Sequence, residues 1–584
     1  LQKPGGGMSR PSSALNLPTA SLAAVPLARG RQQSHWHDRI AHGLLLAVCA
    51  GLALFLLMPV LMILVQSVQD RDGAFVGLRQ FTEYMSTPAL RHSVLNTLFI
   101  AVSVTLLVIP AAFTFAYALT RSMMPFKRIF RTLSLIPILA PSLLAAISFV
   151  QWFGTQGPLK GLLGGASIYG PIGIIISECY AVFPHALMIL ITALSLADGR
   201  LYEVAESLGT SRLRKFWTIT LPGAKYGLIS AMLVAFTFTV NDFGVPKVIG
   251  GDFNVLAIDV YQLVIGQQNF NKGAVVSLLL LLPALMAFAI DFTIRRKLQS
   301  QLSARAVPFA PKPQRLFDAL MFSYCAVVCL LLLAVLGMAV FTSFIKLWPY
   351  NLTLVWDHYY FGLVQDGILE SYFNSLRLAA YVVLSGIVLI FGSAYLVEKT
   401  RGMEAARPVI HLLAMLPMGV PGLVLGLGYI MFFNHPDNPL NFLYRSMAIL
   451  VLSTVVHYFT SSYLTAVTAL KAIDNEFEAV SASLKVPFYK TFLRVTVPVC
   501  LPAILDIGRY LFINAMTTIS AVVFLYSPDT TLASVALLNL EAEGKIGPAA
   551  AMGTLIVLTS TIICLLYALT TRVLLKRAQS WRQI

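Results

Sequence analysis

The sequence predicts an all-α polytopic membrane protein of twelve transmembrane helices, arranged as two parallel six-helix repeats. Three observations carry that prediction: the apolar composition, the spacing of long apolar runs, and recurrence of the whole pattern at a near-constant interval. Hydrophobic residues make up 57% of the 584 residues and charged ones only 12%, far from the balance of a soluble domain. Apolar runs near the roughly 20 residues needed to cross a bilayer recur twelve times. They lie at 43–68, 93–120, 133–153, 172–197, 226–250, 273–294, 317–345, 372–397, 407–433, 445–470, 500–525 and 550–571. The runs are continuous and do not alternate with polar residues, so they read as helices, not barrel strands.

The formal charge of +16 invites a nucleic-acid reading, but its placement excludes one. With the N-terminus inside, 31 of the 42 Lys and Arg residues fall in segments facing the cytoplasm. Arg121/Lys127/Arg128/Arg131, Arg212/Arg214/Lys215, Arg295/Arg296/Lys297 and Arg572/Lys576/Arg577 are examples. This is the positive-inside bias; it places both termini in the cytoplasm, with no nucleic-acid partner. The six cysteines lie in or beside apolar runs and are expected to be free thiols. Leu1–Gly7 precede Met8 and read as an expression remnant, and residues 8–39 as a mobile cytoplasmic tail. No cleavable signal peptide is expected; the first run would serve as an uncleaved one.

The chain repeats itself. Asn96-Thr97-Leu98 matches Asn374-Ser375-Leu376, and Ala116-Tyr117-Ala118-Leu119 matches Ser393-Ala394-Tyr395-Leu396. Leu135-Ile136-Pro137-x3-Pro141 matches Met415-Leu416-Pro417-x3-Pro421, and Leu221-Pro222 falls opposite Val497-Pro498. Offsets stay between 276 and 280 residues. The expected units are a first repeat at 40–300, a Pro-rich cytoplasmic linker at 301–316 and a second repeat at 317–584. An even number of spans per copy gives both copies one orientation, with a pathway between them.

One segment between apolar runs has no use in a passive membrane protein. Glu203-Val204-Ala205-Glu206-Ser207-Leu208-Gly209 is followed, nine residues on, by Ile219-Thr220-Leu221-Pro222. It resembles the EAA loop of permease subunits of binding-protein-dependent ABC importers. In that family the loop is a short cytoplasmic helix docked on the ATP-hydrolysing subunit. The resemblance implies the type I (MetI-like) importer fold in the bacterial inner membrane. It also implies two copies of an ABC ATPase subunit at the cytoplasmic face and a periplasmic solute-binding protein. This chain has no Gly-x4-Gly-Lys-Ser/Thr phosphate loop, so it is expected to have no catalytic residues and no cofactor or metal of its own. ATP and Mg would sit on the ATPase partners.

Within that resemblance Glu203 is the charged contact, Ala205 keeps the helix small enough to seat, Gly209 turns the chain, and Pro222 starts the next membrane helix. The second copy carries its version at Asp474–Pro498. Alignment on the last proline sets Ala479-Val480-Ser481 over Glu203-Val204-Ala205 and Lys485 over Gly209, with Glu478 one position early. The coupling set there is Glu478, Ala479, Lys485 and Pro498, and Lys485 is expected to change the turn.

Polar residues inside apolar runs face cavities or partners. Thr237, Thr239, Asn241 and Asp242 end the fifth span of the first copy; Asn514, Thr517, Thr518 and Ser520 end that of the second. Asp506 and Arg509 stand three apart on one helix face, and Glu178, His185 and His457 lie in the fourth spans. Thr239, Asn241, Asp242, Asp506, Arg509, Asn514, Thr517, Thr518 and Ser520 are the candidate translocation pathway. Arg509 either pairs structurally with Asp506 or meets an anionic solute; Asp242 either caps a helix or lines the pore. The stretch from Asp506 to Thr531 is similar to the fused permeases of 2-aminoethylphosphonate importers, which implies a phosphonate solute. The fused ferric-iron permeases share the two-copy layout and the Asp-Phe-Gly turn at 242–244, and are the alternative. A twelve-span secondary carrier is the rival from another class, but it would not need the docking segments.

Overall fold

The computed structural model describes residues 36–301, 309–365, 367–400, 403, 406–474 and 476–579. The expected remnant, most of the expected tail, and residues 302–308 of the linker lie outside them. Among the described residues the protein is helical apart from one small antiparallel hairpin, Ile345–Leu347 with Asn351–Leu354. Eight helices are long and apolar enough to span a bilayer, and four bent pairs bring the number to twelve.

The bends correct the expectation of twelve unbroken spans. In both copies the third span breaks, by 100° between Lys127–Leu139 and Ser142–Phe153 and by 111° between Ala406–Gly419 and Gly422–Phe433. The breaks fall at Pro141 and Pro421. Ala140 (φ −106°, ψ 141°) and Val420 (φ −101°, ψ 115°) are extended, as the residue before a proline is driven to be. The fifth spans differ between copies. Arg212–Asn241 is one helical run, whereas Phe488–Val499 and Leu501–Thr517 meet at 78°. Pro502 accounts for the difference: it removes an amide and crowds the preceding turn, and Tyr226 stands at the matching position of the first copy. Pro222 therefore does not start a helix. A π-type turn, Phe216–Thr220, precedes it, and Phe492–Thr496 likewise precedes Pro498. Helices also begin earlier than the apolar runs at 226–250 and 500–525, because basic residues outside the bilayer continue them. They end earlier as well, at Asn241 and Thr517.

The two copies exchange their first helices. Arg39–Ser67 packs on the second and third spans of the second copy, and Arg315–Phe344 packs on those of the first. Both exchanges are pinned by hydrogen bonds to backbone carbonyls. The Tyr429 hydroxyl donates to the Phe55 carbonyl at 2.7 Å, within the π-type turn Ala53–Leu57. In return Tyr324 donates to Ala111 at 2.9 Å, and Trp152 Nε1 donates to Ala334 at 3.2 Å. Glycine permits the closest approach: a Cβ on Gly428 would stand 2.6 Å from the Pro59 carbonyl oxygen, the small-residue packing expected where lipid gives helices no hydrophobic drive to associate.

Candidate functional site: two docking faces and a polar interior

The first docking helix, Gly199–Ser207, is started by Asp198, whose carboxylate accepts the Arg200 amide at 3.1 Å. It ends where Gly209 takes φ +65°. The Thr210 amide then closes on the Ala205 carbonyl at 2.9 Å and the Gly209 amide on that of Glu206 at 3.0 Å, a left-handed helix stop that glycine adopts without strain. Ala205 is buried, so its small size serves packing onto its own bundle. Glu203 is exposed, free to meet a partner.

Leu201, Val204 and Leu208 are 57%, 57% and 76% exposed. Their spacing of three and four residues puts them on one face, and Leu213 and Trp217 extend it. In the second copy the exposed residues are Phe477, Val480, Leu484, Tyr489 and Leu493. Each is 276 residues from its counterpart. Exposed leucines are ordinary singly, but a contiguous apolar face at the same place in both copies marks a contact surface. Sequence reading had found the motif but not this face. The readable signal was an apolar residue at the same five places in each copy.

Lys485 does not change the turn. It takes φ +53° itself, and the Val486 amide closes on the Ser481 carbonyl at 2.9 Å, reproducing the Thr210–Ala205 bond. A lysine there carries the left-handed penalty that Gly209 avoids, roughly 1 kcal/mol. Lys485→Gly is therefore expected to stabilise the second docking helix without loss of uptake. Slower amide hydrogen exchange over residues 476–486 would register it, and faster exchange would refute the equivalence of the turns.

What holds the docking helices to the bundle differs between copies. The last residue of the second span is a cation in each, Arg121 and Lys399. Each donates to a carbonyl at the end of the fourth span, Arg121 to Leu194 at 2.8 Å and Lys399 to Ile473 at 3.0 Å, where the helix dipole favours positive charge. Tyr202 and Glu478 occupy matching positions, 276 residues apart, and both turn inward to that cation. The Arg121 guanidinium lies 4.9 Å from the centroid of the Tyr202 ring. Lys399 instead pairs with Glu478 at 3.4 Å, their side chains 3% and 16% exposed. Glu478 thus serves the inner anchor, and Ala479, exposed at the Glu203 position, leaves the second face without that charge. Glu478→Leu leaves a buried ammonium without its carboxylate, expected to cost on the order of 3 kcal/mol. Lys399→Met combined with Glu478→Leu should recover most of the lost thermal stability in detergent; no recovery would show that the pair is not the anchor.

The interior polar residues are largely satisfied within their own helices. Thr239 donates to Ala235, Thr517 to Ile513 (both 3.0 Å) and Asn514 to Tyr510 at 2.8 Å. Asp242 is the helix cap that sequence reading offered as one option: it accepts the Val245 amide at 2.8 Å and the Ser142 hydroxyl at 3.1 Å. The carboxyl of Glu178, fully buried, adjoins it. The Asn241 side-chain oxygen is buried with no hydrogen-bond partner in the described structure. Arg509 pairs with Asp506 at 2.7 Å and lies 5.0 Å from the centroid of the Tyr567 ring in the last helix. The structural pairing therefore exists. Beyond Thr517 the chain leaves the helix, and Thr518, buried, takes its carbonyl to the Ser534 hydroxyl. Ser520 and Ala521 run against Gly422 and Gly426 of the third span, where added Cβ atoms would meet them. His185 rests on Phe238 and His457 on Tyr458. Among the described residues no group of three His, Cys, Asp or Glu is placed to hold a metal ion.

Residues 108–300 and 386–577 each match the family described as binding-protein-dependent transport system inner membrane component. The chain belongs to this family. The two matches fall on the two structural copies, so a single polypeptide carries the permease unit twice. This family member is 26% identical over 567 residues to the ferric transport system permease protein FbpB of Actinobacillus pleuropneumoniae, covering 94% of this chain and 80% of that one. It is 27% identical over 528 residues to the putative ferric transport system permease protein FbpB 1 of Haemophilus influenzae, covering 88% and 81%. The sulfate transport system permease protein CysW of Escherichia coli aligns over 259 residues at 22% identity, 86% of its length but 43% of this chain. The phosphonate resemblance at 506–531 finds no counterpart among these named relatives; the ferric-iron alternative does.

Proposed function

We propose that this permease is the membrane subunit of an ABC importer that takes up ferric iron delivered by a periplasmic binding protein. Two ATPase subunits would power it, one seated on each docking face. The observation that carries the transport reading is the doubled apolar face at 201–217 and 477–493, at one end of two matched bundles. It offers two equivalent seats to a paired motor that this chain lacks. When ATP draws the two motor subunits together, the docking helices follow. The helices bent at Pro141 and Pro421 lie in the two halves that would then be rearranged. The ferric reading is supported by the printed names of two relatives that cover most of this chain.

In this reading the permease has no metal cluster of its own, so recognition of the metal belongs to the binding protein. The Asp506–Arg509 pair then holds the last two spans of the second copy together.

The test is uptake in cells deleted for this permease. Radiolabelled ferric iron and 2-aminoethylphosphonate would be supplied separately. Loss of iron uptake, restored by the permease only together with its ATPase, is the expected result. Loss of phosphonate uptake alone would replace the solute but keep the importer. Uptake by the permease without any ATPase would overturn the class.

A further inference from the structure

We propose that the linker segment Phe309–Lys312 forms part of the first docking surface, so that the two ATPase subunits meet chemically different seats. The inference rests on the docking reading above and goes beyond it, because only the first copy carries this addition.

The segment lies along the first docking helix. The Phe309 ring stands 4.7 Å from that of Tyr202, centroid to centroid, and the Arg121 guanidinium lies 4.6 Å from the Phe309 centroid. Arg121 thus meets two rings while it donates to Leu194, an arrangement worth more than a single cation–π contact because the guanidinium is mostly removed from water. Three residues on, Lys312 Nζ pairs with Glu206 Oε1 at 2.7 Å. Glu206 is on the docking helix itself, and the Lys312 ammonium holds its carboxyl below the usual carboxylate range. The linker is then handed to the next membrane helix by Asp318, which accepts the amides of Gln314 and Met123, both at 2.8 Å.

The second copy explains why the first needs the strap. There the cation at the end of the second span is met by a carboxylate, Glu478, at the Tyr202 position. A carboxylate satisfies an ammonium directly. A single tyrosine ring does so less completely for Arg121, and Phe309 supplies the second face. The consequence reaches the surface. Lys312 keeps 72% of its side chain exposed beside Glu206, and Pro311 and Pro313 stiffen the chain on either side. An ATPase groove that received the first docking helix would also meet a positively charged, Pro-stiffened ridge. The occupant this fits is the ATPase subunit, because the ridge is continuous with the apolar face that repeats in the second copy.

A photo-cross-linking amino acid placed at Leu208 or, separately, at Leu484 of the full-length permease, co-expressed with its ATPase, tests the assignment. Phe309→Ala and, independently, Lys312→Glu are compared in each background. The exposed lysine guards against a folding defect in the phenylalanine variant. The expected result is a fall of about threefold in ATPase cross-linking at Leu208, with Leu484 unchanged. Equal loss at both positions, or no loss at Leu208 in either variant, would overturn the asymmetric seat. Absence of cross-linking at both positions in the unaltered linker would instead overturn the docking reading itself.

Discussion

Leu208→Asp is expected to abolish uptake while leaving a folded, membrane-inserted permease. Leu208 is 76% exposed, so folding should change by no more than about 0.5 kcal/mol. In the seat of a partner it is the outermost apolar residue of a helix face otherwise built from Leu201 and Val204. Burying a carboxylate there, without a partner charge, should cost at least about 2 kcal/mol of association, some 30-fold in affinity. Leu484→Asp should act alike in the second copy, since Leu484 is 69% exposed at the matching position. Co-purification of the ATPase and stimulation of its hydrolysis measure the effect. Normal ATPase recovery with both variants combined would mean that these faces do not bear the motor.

Gly428→Leu should produce the largest structural defect. The Cα of Gly428 lies against the backbone of Pro59 in the exchanged first helix, and an added Cβ would stand 2.6 Å from a carbonyl oxygen and 2.9 Å from its carbon. Backbone cannot step aside as a flexible side chain can, so overpacking of about 1–3 kcal/mol is expected, along with disturbance of the Tyr429–Phe55 hydrogen bond one residue on. Gly51→Leu, on the same first helix but with nothing within 4 Å of the added atom, is the control. A thermal unfolding midpoint in detergent that falls for Gly428→Leu and not for Gly51→Leu confirms the contact. Equal behaviour of the two would show that the first helix is not seated there.

The sequence made the twelve-span, two-copy architecture legible because the bilayer imposes length and polarity on every crossing segment. It did not show the right-angle breaks at Pro141 and Pro421. Hydropathy is blind to direction, although the Pro-x3-Pro spacing was itself noticed as a repeat. The docking motif was legible through Glu203 and Gly209, but its chemistry was misassigned in part. Ala205 and Glu478 face inward, and only the three-dimensional path of the helix distinguishes a residue that seats a partner from one that anchors the helix. Arg121 and Lys399 were read as topology charges because positive residues at span ends are common. Their hydrogen bonds to the ends of the fourth spans became visible only with the chain folded. Lys485 illustrates the opposite lesson: tertiary context enforces a turn that its side chain disfavours.

The exchange of first helices changes what the covalent connection between the copies is for. Each half embraces the other through an arm held by hydrogen bonds, Tyr429 to Phe55 on one side and Tyr324 to Ala111 on the other. Two separately synthesised halves would carry everything needed to find each other and stay clasped. Tethering them therefore secures stoichiometry, one of each half in every transporter. That guarantee lets the halves diverge, so a lysine can stand where its twin keeps a glycine without two like halves ever being paired by mistake.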